Sequence, residues 1–152
     1  MGIERNCGFE FLVLSFSHYN LMITDMDDVL TPFAKRNGIG LINAAGLHMG
    51  ILTEAGPPAW HPAPAEVREA GGKVARLCRE RGHDVADVAL RFCLDHPYVS
   101  STLVGMPTQA HVKANLNLLG VKTDSKLLQE TRSLVGPLFN YVWRSGRPEN
   151  QG

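Results

Sequence analysis

The hydrophobic residues of this chain fall into two kinds of pattern, short unbroken apolar runs and longer segments with apolar residues every three or four positions. Unbroken runs are typical of strands buried on both faces of a parallel sheet. The pattern therefore predicts three buried strands, at residues 11–15, 39–43 and 99–104.

Helical spacing links these runs and continues after the last of them. It predicts five helices, at residues 25–36, 64–81, 85–95, 108–119 and about 124–139. Gly38 is a suitable stop for the first helix, and Pro32 is expected to kink or shorten it. Thr108 and Asp124 are expected N-caps, and Gly136-Pro137 is expected to break the last helix early.

The side chains of the fourth helix are expected to contribute to the core. Val112, Leu116 and Leu119 recur at helical spacing and are predicted to face inward. In the long segment 64–81, Gly71 and Gly72 are expected to weaken the middle of the helix.

Residues 44–63 form a long irregular stretch rich in glycine and proline. A loop of this length in a compact domain is usually functional or mobile. Trp60 lies within it, either walling a substrate, closing over a cofactor, or anchoring the loop.

Strands that alternate with helices imply a parallel sheet with right-handed crossovers. Three buried strands leave two open edges, and they require helices on both faces or a closed barrel. The order of elements therefore fits either a small three-layer domain or part of a larger fold.

Composition changes this picture by excluding some partners. The 152 residues are 44% hydrophobic and 20% charged, with 15 basic and 15 acidic side chains. A chain of zero net charge shows no electrostatic footprint for nucleic acid or an anionic membrane. It contains no apolar run of about 18 residues and no signal-peptide order at its start, so no membrane association is expected.

Cysteine and histidine spacing argues against a metal site. Cys7, Cys78 and Cys93 share no metal or redox spacing, and the last two fall on apolar helix faces. Buried free thiols in a reducing compartment are expected, which favours the cytoplasm. His48, His61 and His83 also lack metal-ligand spacing.

Three segments carry a resemblance to the aldo-keto reductases. Residues 15–20 (SFSHYN) resemble the sixth strand of that family, and residues 38–53 (GIGLINAAGLHMGILT) are similar to its seventh strand and the following loop. Residues 103–108 (LVGMPT), with His111, Val112 and Asn115-Leu116, resemble its eighth strand and helix. Residues 52–62 (LTEAGPPAWHP) and 143–150 (WRSGRPEN) point to the L-galactose dehydrogenase branch.

The resemblance implies an α/β fold, namely part of a (β/α)8 TIM barrel with about three parallel strands and their helices. Residues 1–10 would be an unmatched N-terminal segment, 11–143 the C-terminal part of the barrel, and 144–152 a polar tail. The family's catalytic Asp, Tyr, Lys and His belong to the first half of the barrel. None of them carries over to a position in this chain.

The resemblance also implies where a nicotinamide dinucleotide would bind. Barrel sites lie at the carboxyl ends of the strands, so Ser15 or Phe16 would lie near the nicotinamide. The backbone amides near Ala45, Gly46 and Leu47 would approach the pyrophosphate. Without the resemblance, these three residues would be read as tight-turn residues.

The adenosine end would lie against Gly105, Met106 and His111. NADP-preferring members place Lys, Ser and Arg at these points to neutralise a 2′-phosphate. The uncharged residues here favour NAD over NADP. Thr108 begins a helix whose amides can receive an anion, and Asn115 matches the family's adenine-contacting residue, or else is a surface amide.

Several functions stay open at this point. The favoured one is a truncated NAD(P)-dependent oxidoreductase, whose parent reaction transfers hydride between the cofactor and a sugar, aldehyde or ketone. The chain alone is expected to be inactive. The alternatives are a non-enzymatic nucleotide-binding or protein-interaction module, an unstable remnant, and an independent α/β domain. His18 and Tyr19 resemble an acid pair, but packing or substrate-wall roles are favoured for them.

Overall fold

The computed structural model describes residues 10–143. Residues 1–9, with Cys7, and the polar tail 144–152 lie outside the described part. The expectations for those two segments therefore stay predictions, as does the division of the chain into segments.

The elements alternate along the chain as the apolar pattern predicts. The strands are β1 (Phe11–Phe16), β2 (Ile39–Ala44) and β3 (Val99–Leu103). The helices are α1 (Leu30–Asn37), α2 (Ala65–Glu80), α3 (Val85–Leu94), α4 (Gln109–Leu116) and α5 (Ser125–Val135). Three 3₁₀ turns complete the set, at Asp25–Asp27, His48–Gly50 and Gly136–Leu138.

The three strands form one parallel sheet in the order β1-β2-β3. Phe16 pairs with Ala44, and Ala44 pairs with Leu103, so the strands end in one row. This arrangement confirms the α/β class and is consistent with part of a TIM barrel. The segments that follow the strands leave from a common edge, which is where barrel sites lie.

Helices cover one face of the sheet. Leu41 and Asn43 of β2 point to that face and are fully buried. The main core lies between α2, α3, α5 and the loop after β2, and it includes Ile51, Leu52, Val67, Val74, Val85, Val88, Leu127 and Val135. A second cluster contains Tyr19, Met26, Ala34, Leu41 and Cys93.

The prediction that all three strands are buried on both faces is wrong for β1 and β3. Leu12 and Phe16 are 60% and 55% exposed, and Leu14 and Leu103 are similarly exposed. These side chains share one face, because paired residues of a parallel sheet point the same way and alternate residues point oppositely. The described helices that pack on the sheet lie on its other face, behind Leu41 and Asn43.

The helix predicted at residues 25–36 is instead a 3₁₀ turn followed by α1. Pro32 is the third residue of α1, in the first turn, where a missing N–H removes no helix hydrogen bond. The helix is shorter than the predicted 25–36, in line with the expectation that Pro32 would kink or shorten it. Gly38 ends the helix with a φ of 63°, as predicted.

The inward orientation predicted for the fourth helix is wrong. The helix α4 ends at Leu116 and buries no residue, and Leu116 is 59% exposed. Val112 and Leu119 are also exposed, because α4 borders an open groove rather than the closed core. The predicted break after α5 is confirmed, since α5 ends at Val135 and Gly136 has a φ of 54°.

Candidate functional site

The segments that leave the carboxyl ends of the strands form a rim, defined here as residues 17–18, 45–47 and 104–105. Ser17 follows β1 with a φ of 64° and donates its backbone N–H to the Ala44 carbonyl at 3.0 Å. This bond ties the exit of β1 to the exit of β2. The first two segments of the rim are therefore held together by backbone bonding.

The rim after β2 has an unusual backbone. Ala45, His48 and Met49 all have φ between 50° and 62°, a region that residues other than glycine rarely adopt. Such strain persists where the surrounding structure imposes it, and it is concentrated at functional sites. Here the Ala45 carbonyl accepts the N–H of His48 at 2.8 Å, which closes a tight turn.

Residue 46 has little room for a side chain, because α3 packs closely against it. A Cβ at Gly46 would lie 2.9 Å from Sγ of Cys93 and 3.8 Å from Cδ2 of Leu90. This contact supports the interpretation of Gly46 as a packing residue. The hydrogen bonds of the described part nevertheless include none donated by the backbone N–H groups of Ala45, Gly46 or Leu47. Gly46 is buried, whereas Ala45 and Leu47 are partly exposed.

The rim after β3 leads into the N-terminus of α4. Thr108 caps that helix, because its Oγ1 accepts the backbone N–H of His111 at 3.3 Å. The same hydroxyl lies 2.6 Å from Nδ1 of His111. Gly105 is exposed, with no atom within 4 Å of a Cβ placed on it.

Met106 and Asn115 meet in an apolar groove of about 200 Å³ between α3, the end of β3 and α4. Leu90 also lines this groove and is the residue that Gly46 approaches. The two halves of the predicted dinucleotide site therefore lie against one side chain. Gly105 and His111 do not line the groove.

The structure separates the two residues predicted near the nicotinamide. Phe16 points into the uncovered face and lines a cavity of about 140 Å³ between the ends of β1 and β2 and the segment near Trp143. Ser15 is buried on the opposite face, beside His18 and Asp25, and its hydroxyl has no protein partner. Alternation along β1 causes this separation.

His48 and Asn20 are the residues that sequence reasoning missed. Both side chains are buried, and Nδ1 of His48 lies 2.9 Å from the Ser17 hydroxyl and 3.2 Å from Nδ2 of Asn20. Burial, followed by the charge of nearby His61, lowers the pKa of His48 to about 4. The signal in the sequence was His48 itself, one of the two histidines in the loop 44–63, and its spacing was considered only as evidence about a metal site.

Trp143, the last residue that the structure describes, forms an aromatic wall of the 140 Å³ cavity. The ring centroid of Trp143 lies 4.9 Å from that of His48 and 5.6 Å from that of His61. Trp60 is 72% exposed and does not line the cavity. Its ring stacks on that of the neighbouring His61, with centroids 6.3 Å apart, and the three roles considered for Trp60 stay predictions.

Tyr19 is a packing residue, as favoured from the sequence. Its ring stacks on Phe92 at 4.9 Å and meets the edge of His96 at 4.6 Å. Burial, followed by the charge of Asp27, raises the pKa of Tyr19 well above its usual range. His18 is exposed and lies 2.9 Å from Asp25.

The cysteines in the described part are buried free thiols, as predicted. Burial raises the pKa of Cys78 to about 11 and that of Cys93 to about 12. Within residues 10–143, no group of three or more His, Cys, Asp or Glu could hold a metal ion. No helix in the same range is long and apolar enough to span a membrane.

Residues 9–135 match the aldo/keto reductase family, and the chain belongs to it. Members of this family are oxidoreductases that use nicotinamide cofactors.

Three relatives illustrate the similarity. L-galactose dehydrogenase of Arabidopsis thaliana is 35% identical over 143 residues, covering 91% of this chain and 44% of the relative. D-arabinose 1-dehydrogenase of Saccharomyces cerevisiae is 25% identical over 157 residues, covering 95% and 47%. Pyridoxal 4-dehydrogenase of Microbacterium luteolum is 28% identical over 104 residues, covering 64% and 30%. The chain spans less than half the length of these relatives.

Proposed function

We propose that this chain forms the cofactor-holding part of a nicotinamide-dependent oxidoreductase of the aldo/keto reductase family. The observation that carries the proposal is that Gly46 of the loop after β2 and the groove of Asn115 lie against the same side chain, Leu90. Small residues and free amides suit a pyrophosphate, and an apolar groove with one amide suits an adenine.

Different residues would bind different parts of the dinucleotide. Phe16, and the backbone near Ser15, would lie at the nicotinamide end. The amides of Ala45, Gly46 and Leu47 would hold the pyrophosphate, and Asn115 would pair with the base edge. When bound, the cofactor supplies or accepts the hydride, and the protein supplies its placement.

We propose NAD as the preferred cofactor. Gly105, Met106 and His111 stand where a 2′-phosphate would require cationic partners. The first two are uncharged, and Nδ1 of His111 is within hydrogen-bond distance of the Thr108 hydroxyl. The site therefore offers little compensation for a dianionic phosphate.

The chain is proposed to have no turnover by itself. Reduction of a carbonyl requires a proton donor near the reacting oxygen. Tyr19 is packed against Phe92, and Tyr98 donates its hydroxyl to the Ile39 carbonyl at the opposite end of the sheet, so neither lies where it could protonate a substrate at the rim. The substrate of a complete enzyme is proposed to be a sugar or another carbonyl compound, as the names of two relatives suggest.

A direct titration tests the cofactor proposal. Calorimetry of the chain with NAD⁺ should show one site, with NADP⁺ binding more weakly. Asn115→Ala should weaken NAD⁺ binding about tenfold by removing a hydrogen bond in a partly desolvated groove. The control is Asn117→Ala, at the exposed residue that caps the C-terminus of α4. Equal effects of the two substitutions, or no binding of NAD⁺, would refute the proposed site.

The same preparation separates binding from chemistry. Incubation of the chain with NAD⁺ and L-galactose should produce no reduced cofactor. A second candidate function, a nucleotide-binding module without chemistry, is favoured because Tyr19 and Tyr98 both make contacts away from the rim. Mixing the chain with the first half of a related dehydrogenase distinguishes the two, because only a reductase part should restore turnover.

A further inference from the structure

Three arginines of α2 lie on the side of the helix that faces the loop after β2. At 3.6 residues per turn, Arg68, Arg76 and Arg79 project within about 80° of one another. Together with residues 51 and 53–57 of the loop, they line a pocket of about 360 Å³. One face of α2 therefore gathers three guanidinium groups at a single opening.

Gly72 leaves room for the pocket in the middle of this face. It lines the pocket, and it lies four residues from both Arg68 and Arg76. The nearest side-chain atom to a Cβ placed at Gly72 is Nη1 of Arg76, at 3.9 Å. The guanidinium of Arg76 therefore bends back toward the helix at the pocket instead of extending into water.

The positive charge of the pocket is only partly compensated. Arg79 pairs with the carboxylate of Glu54, which the loop supplies. Within residues 10–143, the guanidinium groups of Arg68 and Arg76 form no ion pair and donate no hydrogen bond. The lining residues thus include three arginines and one glutamate, which leaves two unbalanced positive charges.

Burial makes this imbalance costly at Arg68. The residue is half-buried, and its Nε is buried without a partner in the described part of the chain. A buried donor or charge without a partner loses its hydration and gains nothing in return, so such groups usually have a ligand or a counter-ion. The pocket therefore calls for an anion.

The charge and size of the pocket restrict the kind of anion. The planar guanidinium group matches the oxygens of phosphate, and a phosphate monoester carries nearly two negative charges at neutral pH. Such a dianion balances the two free arginines, whereas a carboxylate would leave one charge unbalanced. Small-molecule sites have volumes of about 300–1,000 Å³, so the pocket has room for an organic group beside the phosphate.

The pocket is separate from the proposed dinucleotide site. Its described lining residues include none from the rim at 17–18, 45–47 and 104–105. They also include none from the groove of Asn115 or from the cavity beside Trp143. A ligand in this pocket would therefore contact different residues from the cofactor.

We propose that this pocket is a second anion site, at which Arg68 and Arg76 bind the phosphate group of a small organic phosphate monoester. Arg79 contributes less, because Glu54 already neutralises it. The apolar side chains of Ile51, Pro57 and Ala75 would contact the organic group. The inference goes beyond the proposed function and does not rest on it.

Calorimetry of the 152-residue chain with two matched probes tests the proposal. Phenyl phosphate should bind saturably at one site. Benzoate, which has the same ring but a single charge, should bind about tenfold more weakly. An excess of NAD⁺ should not displace phenyl phosphate. No saturable binding of phenyl phosphate, equal affinity for the two probes, or displacement by NAD⁺ would overturn the proposal.

Substitutions on α2 separate a built site from general attraction to a basic helix. Arg76→Gln should weaken phenyl phosphate binding about tenfold by removing a charged hydrogen bond. Arg76→Lys keeps the charge but not the planar fork, so its loss should be smaller. The control is Lys73→Gln, at an exposed residue beside Gly72 that does not line the pocket. Equal losses for Arg76→Gln and Lys73→Gln would contradict the site.

A substitution in the loop should have the opposite effect. Glu54→Gln removes the one acidic side chain of the pocket and releases Arg79, so phenyl phosphate should bind about threefold more tightly. A purely structural role of the arginines predicts no such gain. Arg76 and Glu54 are both exposed, and thermal melting confirms that each variant is folded. Unchanged or weaker binding by Glu54→Gln would contradict the proposed charge balance.

Discussion

At the scale of single residues, His48 illustrates how burial and one amide set the chemistry of a side chain. The turn after β2 places the imidazole of His48 4.9 Å from the ring of Trp143, centroid to centroid. The imidazole also contacts Ser17 and Asn20. A charged imidazole would be costly in this position, because Nδ1 faces an amide donor and the surroundings exclude water. The ring is therefore neutral at ordinary pH.

The depressed pKa of His48 predicts an acid sensitivity of the fold. The folded-state pKa of about 4 lies below the usual histidine pKa of 6.5, so the unfolded chain binds more protons between these two pH values. The stability contributed by the neutral imidazole of His48 is fully present above pH 6.5 and is lost as the pH falls toward 4. The total loss is about 3 kcal/mol.

Urea unfolding at several pH values between about 7 and 4 measures this loss. His61, whose pKa burial also lowers, adds in the same direction. The variant His48→Gln keeps the contribution of His61 and removes that of His48, so its stability should fall less steeply with acid. Parallel curves for the two proteins would rule out His48 as the source.

A second residue-scale prediction concerns cofactor choice. His111→Arg places a permanent cation where the proposed site lacks one, and a charged hydrogen bond to a phosphate should strengthen NADP⁺ binding about tenfold. NAD⁺ binding should change little. Competition calorimetry gives both affinities, and Lys113→Arg, elsewhere on exposed α4, is the control. If the ratio of NADP⁺ affinity to NAD⁺ affinity does not change, the 2′-position of the cofactor's adenosine ribose lies away from His111.

At the scale of secondary-structure elements, α2 fixes the loop after β2. Gly71 was expected only to weaken this helix, but the structure gives it a packing role. A Cβ at Gly71 would lie 2.1 Å from Cγ2 of Ile51, a fully buried residue of the loop. The helix therefore approaches the loop closely, and the loop in turn carries His48.

The two adjacent glycines of α2 make a matched pair. Gly71→Ala should destabilise the chain by about 1–3 kcal/mol, because the added methyl overlaps Ile51. Gly72→Ala should stabilise it by about 0.5–1 kcal/mol, since alanine favours helix and the nearest atom, on Arg76, is 3.9 Å away. Chemical denaturation of both variants measures the difference. Equal shifts would show that the contact with Ile51 is not tight.

At the scale of the whole molecule, the uncovered face of the sheet dominates the surface. Leu12, Leu14, Phe16 and Leu103 lie together on it, and β1 and β3 are the outer strands of the described sheet. Contiguous apolar surface beside open strand edges favours association with other apolar surfaces.

The exposed face predicts that the 152-residue chain self-associates as its concentration rises. The double substitution Leu12→Lys and Leu14→Glu should shift the chain toward monomer, because it places charges on that face. Val29→Lys is the control, since Val29 is 74% exposed in the segment before α1, outside the sheet. Sedimentation velocity over a concentration series measures the association. If the double variant associates as strongly as the parent chain, this face is not the surface of self-association.

Much of the architecture was predictable because it depends on neighbours in sequence. The apolar runs located the strands, Thr108 and Asp124 capped the predicted helices, and Gly38 and Gly136 ended helices where positive φ was needed. The candidate cofactor residues after β2 and β3 come from the family resemblance and stay predictions. The contact between His48 and Asn20 was not predictable, because the two residues lie 28 positions apart in the sequence.

The sequence by itself determined the order, type and direction of the elements, since backbone propensity, capping and apolar periodicity act over a few residues. Tertiary structure alone decided which apolar residues are covered: the runs of β1 and the apolar positions of α4 signal a preference for burial, not the presence of a covering element. It also decided the charge state and orientation of His48, because desolvation and hydrogen-bond direction arise only when distant segments are brought into contact.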